Sequence, residues 1–416
     1  MLKEKNNLYT ISIRTIAQAR TQPNVKVLED RFLHKLFILT HLPATWGGFK
    51  IGLGLLVLAL GVLGGWLPFR AAAYSATAIF LLFSAADWLL LWWLPRSGRS
   101  FGPIGPQLLV MIVPRLGVAW LGALLSWLIN PSLGFGLMVA LQLVGLLLYL
   151  WTMLREPFAL ATTQMAIQSV HWPAEAAPLR LLHLSDLHVE RLTEREAHLM
   201  TLIEQADPDL IVITGDYLNL SYVNDPTARA EVRQVLTKLS APYGVYATLG
   251  SPTVDPWDTT PSLFDGLNIR LLRDEVAILH LADGRSLSLL GLNCEHDLLA
   301  DAAAFEELLS LTPADAPRIL LYHSPELMPH VQHFPVDLYL CGHTHGGQVR
   351  LPFYGAVVTS SALGKRYEMG PYLEQGTTLY ISRGIGLEGL GAPRMRLLCR
   401  PEIILFTVSG SEGGSS

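Results

Sequence analysis

Charged residues are scarce in this chain: Asp, Glu, Lys and Arg make up only 16% of its 416 residues. A soluble globular domain carries about a quarter. With half the residues hydrophobic and a positive mean hydropathy of +0.35, this excludes disorder, collagen and a coiled coil, and points to segments built for lipid. Basic charge is not in excess either. A net charge of −5 with a pI near 6.2 leaves no footprint for nucleic acid. Cysteine is nearly absent: Cys294, Cys341 and Cys399 lie far apart and form neither a disulfide framework nor a CxxC metal knuckle. No long apolar run precedes residue 51, so a cleaved signal peptide is not expected. A Walker loop is missing as well.

What is present divides along the chain, whose length suggests two or three domains. Between Ile51 and Leu154 the only charged residues are Arg70, Asp87, Arg96, Arg99 and Arg115. Four apolar runs, Ile51–Phe69, Ala71–Leu94, Gln107–Ile129 and Leu133–Leu154, are 19 to 24 residues long, each enough for a helix to cross about 30 Å of hydrocarbon. Pro68 with Arg70, the Gly- and Pro-rich stretch Pro95–Pro106, and Asn130-Pro131-Ser132 punctuate them. The expected organisation is a cytoplasmic N-terminal segment (1–45), four transmembrane helices (46–155), a soluble α/β domain (156–408) and a flexible Gly/Ser-rich tail (409–416). Phe32–Leu39 could lie along the membrane surface as an amphipathic helix. Arg31, Lys35, Lys50, Arg96, Arg99 and Arg155 flank one side of the spans and Arg70 alone the other, so both termini are expected in the cytoplasm of a multi-pass cell-membrane protein. Trp88, Trp92, Trp93 and Trp151 fit an aromatic belt at the inner face. Asp87 and Arg115 fall at matching depth within the second and third runs and are expected to pair.

Beyond residue 156 short β-type runs alternate with helical stretches, which argues for an α/β domain. The runs are Leu179–Leu184, Leu210–Thr214, Gly244–Leu249, Ser286–Leu290, Ile319–Tyr322, Leu338–Cys341, Thr378–Ser382 and Glu402–Val408. Metal-ligand residue types follow several of them. Ser185-Asp186-Leu187-His188 follows the first run and Gly215-Asp216 the second, His323 lies at the end of the fifth, and Gly342-His343-Thr344-His345-Gly346-Gly347 follows the sixth. Asp186, His188, Asp216, His323, His343 and His345 offer six oxygen or nitrogen donors, too many for one tetrahedral site and suited to two divalent ions. One strand-end Asp is usually a cap and one His a structural residue, but four such motifs in order, each at a strand end, are hard to assign to chance.

These motifs resemble those of the calcineurin-like metallophosphoesterases. The resemblance spans Leu179 to Val408 and rests on Leu184-Ser185-Asp186-Leu187-His188, Thr214-Gly215-Asp216, Tyr322-His323-Ser324-Pro325-Glu326 and Gly342-His343-Thr344-His345-Gly346-Gly347-Gln348. Val349-Arg350-Leu351-Pro352 and Ser382-Arg383-Gly384-Ile385-Gly386 are similar to the bacterial membrane-associated branch, some members of which act on lipid-linked phosphates. The resemblance implies an α/β/β/α sandwich and two divalent metal ions (Mn, Fe or Zn). Asp186, His188 and His345 would hold the first ion, Asp216 would bridge, and His323 with His343 would hold the second. The implied reaction is hydrolysis of a phosphoester or pyrophosphate, with a phosphorylated and potentially lipid-linked substrate at the membrane face and no nucleic acid.

One departure matters. The family's Gly-Asn-His-Asp/Glu motif, in which the Asn completes the second metal site and the His serves the departing oxygen, is replaced here by Gly250-Ser251-Pro252-Thr253. No catalytic proton donor is therefore assigned. Three readings stand: an enzyme with a weakened second site in which water or Asp255 fills the gap, a degenerate enzyme that binds but turns over little, and a membrane-bound ligand-binding or scaffold module. Gly384-x-Gly386-x-x-Gly389 matches a dinucleotide fingerprint without the βαβ unit it needs and is expected to be a turn lining the cleft. Arg383 is expected to contact a phosphate or form a salt bridge. His171, His183, His198, His280, His296, His330 and His333 lack ligand-like spacing and are assigned to structure or surface.

Overall fold

A computed structural model describes residues 42–173 and 175–410. The expected helix at Phe32–Leu39 and the tail beyond Gly410 lie outside the described residues. The described residues form two compact units.

The first unit comprises the described residues 42–156 together with Glu388–Met395. It holds helices α1 (Gly48–Trp66), α2 (Arg70–Trp93), α3 (Ile104–Leu128) and α4 (Pro131–Leu154). Three helical stretches, Gly48–Trp93, Ile104–Leu128 and Pro131–Phe158, are long and apolar enough to cross a membrane. The first of them is α1 and α2 joined by one 3-10 turn, Leu67–Phe69. Asn130 caps α4, its side-chain oxygen accepting from Ser132 N and Leu133 N at 2.9 and 3.2 Å with Pro131 at the first helical position. Small residues let α3 and α4 approach closely: a Cβ added to Gly134 would meet Gly122 O at 2.5 Å. Large apolar side chains such as Leu56, Leu60, Trp127 and Leu147 point outward, the arrangement that lipid favours and water does not.

Asp87 and Arg115 do pair. Arg115 Nη2 donates to Asp87 Oδ1 at 2.6 Å, and its Nε bonds Oδ2. Gln142 on α4 completes the knot, accepting from Arg115 Nη1 at 2.9 Å and donating to Arg115 O at 2.9 Å. All three side chains are buried, so every polar group taken out of water finds a partner.

The second unit holds two six-stranded mixed sheets. One has the order β1 (Ala161–Ser169), β14 (Glu402–Gly410), β2 (Leu179–Leu184), β3 (Leu210–Thr214), β4 (Val245–Thr248) and β5 (Arg270–Leu271). The other runs β12 (Gly370–Glu374), β13 (Thr377–Ile381), β9 (Leu338–Cys341), β8 (Arg318–Leu321), β7 (Ser286–Gly291) and β6 (Glu275–His280). Alternate residues face opposite ways. Leu210 and Val212 enter the core shared with Leu287, Leu289, Ile319 and Leu340 of the other sheet. Ile211 and Ile213 pack on Leu199 and Ile203 of α5 (Glu194–Ala206) and on Val232 and Leu236 of α6 (Pro226–Leu236). Behind the second sheet, Leu320 and Tyr339 meet Phe305 and Leu308 of α7 (Leu298–Ser310). The layers are therefore α/β/β/α. Central strands buried on both faces read as continuous apolar runs, which is why the sequence reveals them.

β2, β3 and β4 run parallel, as do β7, β8 and β9. Their C-terminal ends therefore open on one edge of each sheet. β14 continues through Ser409 and Gly410, two residues into the expected tail.

Candidate metal centre

Each predicted ligand sits just past the C-terminal end of one of these parallel strands: Asp186 and His188 after β2, Asp216 after β3, His323 after β8, and His343 and His345 after β9. Cross-strand backbone bonds hold the loops together. Asp186 N donates to Gly215 O at 3.0 Å, His188 N to Asp216 O at 3.0 Å, and Gly342 N to His323 O at 2.9 Å. The two sheets meet at the site, where His343 N donates to Asp186 Oδ1 at 3.0 Å.

Two triads of ligand atoms converge, Asp186–His188–His345 and Asp186–Asp216–His323, with all atoms of each within 4.8 Å. Asp186 is common to both. Asp216 Oδ2 lies between the sets, 3.4 Å from His188 Nε2 and 3.3 Å from His323 Nε2. His343 belongs to neither triad but packs beside the second, its ring centroid 5.1 Å from that of His323.

The backbone is bent to achieve this. Asp186, His188, Asp216, His343 and His345 all have positive φ, between 40° and 69°, a region that costs a non-glycine residue on the order of 1 kcal/mol. Such a cluster persists only where the surroundings enforce it. Gly342 allows the close approach, since a Cβ there would run into the Asp186 carboxylate. Gly384, at φ +71°, lies against Asp186 and His345, and Gly386 against Leu187 and His188, so the turn at Gly384 and Gly386 lines the cluster, as expected of the fingerprint's first two glycines. Arg396, which the sequence did not single out, is fully buried and ties that turn down by donating to Arg383 O, Gly384 O and Gly386 O at 2.9, 3.2 and 2.6 Å.

The donor set suits cations. His188 Nδ1 faces Leu218 O at 3.2 Å, His323 Nδ1 faces Thr214 O at 2.7 Å, and His343 Nε2 faces Ser360 O at 3.2 Å. Each carbonyl can only accept, so each ring spends an N–H there and turns its other nitrogen toward the cluster. His188 Nε2 and His345 Nε2 then face each other at 3.0 Å, an arrangement that needs a shared proton or a cation. Asp186 Oδ2 and His345 Nδ1 are buried without a hydrogen-bond partner among the described residues, where an unmet polar atom is costly.

Electrostatics separate the rings. Burial lowers His343 to about 4 and His345 well below the ordinary imidazole range. Burial works against a charged His323 too, but the Asp216 carboxylate outweighs it and raises this ring to about 10. Asp216 in turn is held below the usual carboxylate range, the His323 ring overcoming its burial. Burial pushes Asp186 up.

At the departure from the family motif, Ser251 N donates to Asp216 Oδ1 at 2.8 Å, and Ser251 Oγ lies 3.3 Å from His343 Nδ1. Asp255 does not fill the gap. Its carboxylate accepts from the backbone N–H groups of Asp216, Gly250 and Tyr217 at 2.7, 2.8 and 3.2 Å, so it is a clamp for the two loops. Arg383 forms a salt bridge with buried Glu402 and bonds Thr163 Oγ1 at 3.1 Å.

His296, which local spacing places with structure or surface, packs beside His343 with ring centroids 5.2 Å apart and the rings tilted at 45°. Its φ is +58°, and burial with the neighbouring His343 lowers it to about 4. The signal is its position: like the candidate ligands, it follows a parallel strand, here β7, on the same edge.

Residues 179–347 match the family model described as calcineurin-like phosphoesterase. The chain is 33% identical to the uncharacterized metallophosphoesterase YkuE of Bacillus subtilis over 263 residues, 62% of this chain and 88% of that protein. It is 29% identical to the phosphodiesterase YaeI of Escherichia coli, over 56% of this chain and 82% of that one. It is 26% identical to the UDP-2,3-diacylglucosamine pyrophosphatase LpxG of Chlamydia trachomatis, covering 62% and 92%.

Proposed function

The chain belongs to the calcineurin-like phosphoesterase family, and from that premise we propose that it hydrolyses a phosphoester or pyrophosphate using divalent metal ions held by Asp186, His188, Asp216, His323, His343 and His345. The observation that carries this reading is the pair of overlapping ligand triads, each buried and bent into place at one edge of the two sheets. Divalent cations held by these residues would supply positive charge to a phosphoryl group and would make a water acidic enough to attack at neutral pH.

The chain's own residues do the positioning. Asp216 places one carboxylate oxygen between the two histidine sets and fixes the other on Ser251 N. Leu218 O, Thr214 O and Ser360 O orient the rings of His188, His323 and His343. Pro252 offers no side-chain donor, and His296, lowered to about 4, is neutral at pH 7. It can offer an N–H to an oxygen but is not a cationic acid. Good leaving groups are therefore favoured. The second reading, a homologue that binds a phosphorylated ligand but turns it over weakly, rests on the same Ser251-Pro252.

The similarity to LpxG, a UDP-2,3-diacylglucosamine pyrophosphatase, supports a lipid-linked substrate for this chain as well. Residues 46–155 are proposed as the membrane region and 156–408 as the hydrolase, facing the cytoplasm with both termini, on the bias of Arg96, Arg99 and Arg155 over Arg70. A cysteine introduced as Arg155→Cys should resist an impermeant reagent applied to intact cells, and labelling from outside would reverse the topology.

Metal content tests the core of the proposal. Asp216→Asn keeps the shape and removes the charge, so metal affinity should fall by more than the roughly 10–100-fold that losing an outer-shell partner costs, and metal per chain, measured by mass spectrometry after dialysis, should fall with it. Unchanged metal content would sink the ligand assignment.

A further inference from the structure

Beside the cluster, β10 (Arg350–Leu351) and β11 (Gly355–Ala356) form a short antiparallel hairpin. Its tip is apolar and unpacked: Phe353 is fully exposed, and Leu351 and Tyr354 are about half exposed. Leu398 adds to the same surface. It follows Leu397, which bridges Val349 and accepts Arg350 N at 2.9 Å, and it is 55% exposed. Single exposed leucines are ordinary, but three large apolar residues at one four-residue tip, with Leu398 following the residue that bridges to its base, form a patch that calls for a partner. The turn is also bent to present them, with Phe353 at φ +64°, which a bulky residue rarely adopts.

The base of the hairpin is rigid and basic. Lys365 Nζ donates to Tyr354 O at 2.8 Å and lies 3.9 Å from the centre of the Tyr354 ring. Lys365 and Arg350 share one carboxylate, Glu368, at 2.8 and 2.9 Å. Two cations on one anion leave net positive charge beside the apolar tip. The hairpin is also tied to the candidate metal centre at both ends. Arg350 Nη1 donates to Gly346 O at 2.9 Å, and Ser360, just past the returning arm, accepts from His343 Nε2 at 3.2 Å.

We infer that the tip Leu351–Tyr354, with Leu398, inserts into the interfacial layer of a bilayer, its basic base meeting anionic headgroup phosphates. Apolar side chains above a cationic collar are the chemistry of interfacial anchoring. A domain on the same chain as membrane-crossing helices also meets a bilayer at high effective concentration. Insertion would hold the metal centre at a fixed height over the headgroups, where a lipid-borne phosphate is presented. The inference rests on the membrane-tethered reading of the chain and not on turnover.

The test uses the full chain in nanodiscs of neutral phosphatidylcholine, with and without phosphatidylglycerol. The three native cysteines are buried, so a nitroxide reagent should label Phe353→Cys selectively. Leu373→Cys, at an exposed position of β12, serves as the water-exposed control. The expected result is high collision with oxygen and low collision with a nickel chelate at 353, strengthened by phosphatidylglycerol, against the reverse at 373. Equal nickel accessibility at both positions overturns the proposal. Protection of 353 from both quenchers also overturns it, because that marks a protein or a second copy as the occupant. In addition, Leu351→Ser with Phe353→Ser should raise KM at least fivefold for a bilayer-borne nitrophenyl phospholipid and leave hydrolysis of a soluble nitrophenyl phosphodiester unchanged. Equal effects on both substrates would assign the hairpin a folding role. If neither substrate is turned over even by the unaltered chain, the hydrolase reading fails while the nitroxide result still decides the hairpin.

Discussion

Ser251 and Pro252 set the chemical limit of the site. Ser251 Oγ stands 3.3 Å from His343 Nδ1, so an amide introduced there would enter beside the candidate ligands His343 and Asp216. The backbone around it is already clamped by Asp255. Ser251→Asn with Pro252→His is therefore expected to raise turnover of unactivated phosphodiesters by about 10²-fold, the usual worth of a proton donor, and to change activated substrates far less. No gain on either would mean that the defect lies elsewhere. A second residue reports on stability. Burial raises Asp301 to about 7 against the bond from Tyr322 Oη at 2.6 Å. Its folded value lies above the unfolded value near 3.8, so the carboxyl favours folding while protonated. That contribution is complete below pH 4 and is lost as pH rises toward 7. Asp301→Asn should leave stability nearly unchanged at pH 4 and raise it by roughly 1–3 kcal/mol at pH 8, as read by thermal unfolding in detergent. A difference independent of pH would contradict the shift.

At the scale of elements, the knot of Asp87, Arg115 and Gln142 binds three helices of the bundle. Removing one partner of a buried pair leaves an uncompensated charge, which costs about 3–5 kcal/mol, whereas replacing both is often tolerated. Asp87→Leu alone should lower folded yield and melting temperature sharply, and Asp87→Leu with Arg115→Met should recover most of the loss. A single variant as stable as the parent would show that the pair has no structural role. Asp87 and Arg115 could be paired from the sequence because depth along a helix follows from counting residues; Gln142, a polar residue with no charge to flag it, could not. The strands show a similar divide. All eight interior strands, from Leu179–Leu184 to the start of β14, announce themselves as apolar runs. The four that do not, β1, β5, β6 and β12, are the edges of the two sheets. Edge strands bury one face at most, as in the alternating Glu275–His280, so polar residues interrupt the pattern.

For the whole molecule, the convergence of the candidate ligands was legible because each motif follows a strand, and parallel strands bring their ends to one edge. His296 and Arg396 were not: one depends on which rings stack, the other on which carbonyls a buried guanidinium reaches, and neither distance is written in local spacing. Nor does local sequence place Glu388–Met395 with the apolar helices. Met395 packs into their cluster and Arg394 N donates to Gln107 Oε1 at 3.1 Å, across a separation along the chain that no periodicity spans. The central claim, that this chain carries a working metal-dependent hydrolase, is tested most directly by Mn²⁺-dependent hydrolysis of an activated phosphodiester by the purified full chain, with Asp216→Asn as the blank. Such a substrate has a good leaving group and does not call on the imidazole that Pro252 lacks. Turnover clearly above the blank and abolished by a chelator is the predicted result. Bound metal with no turnover above the blank would contradict it and leave a phosphate-binding homologue in its place.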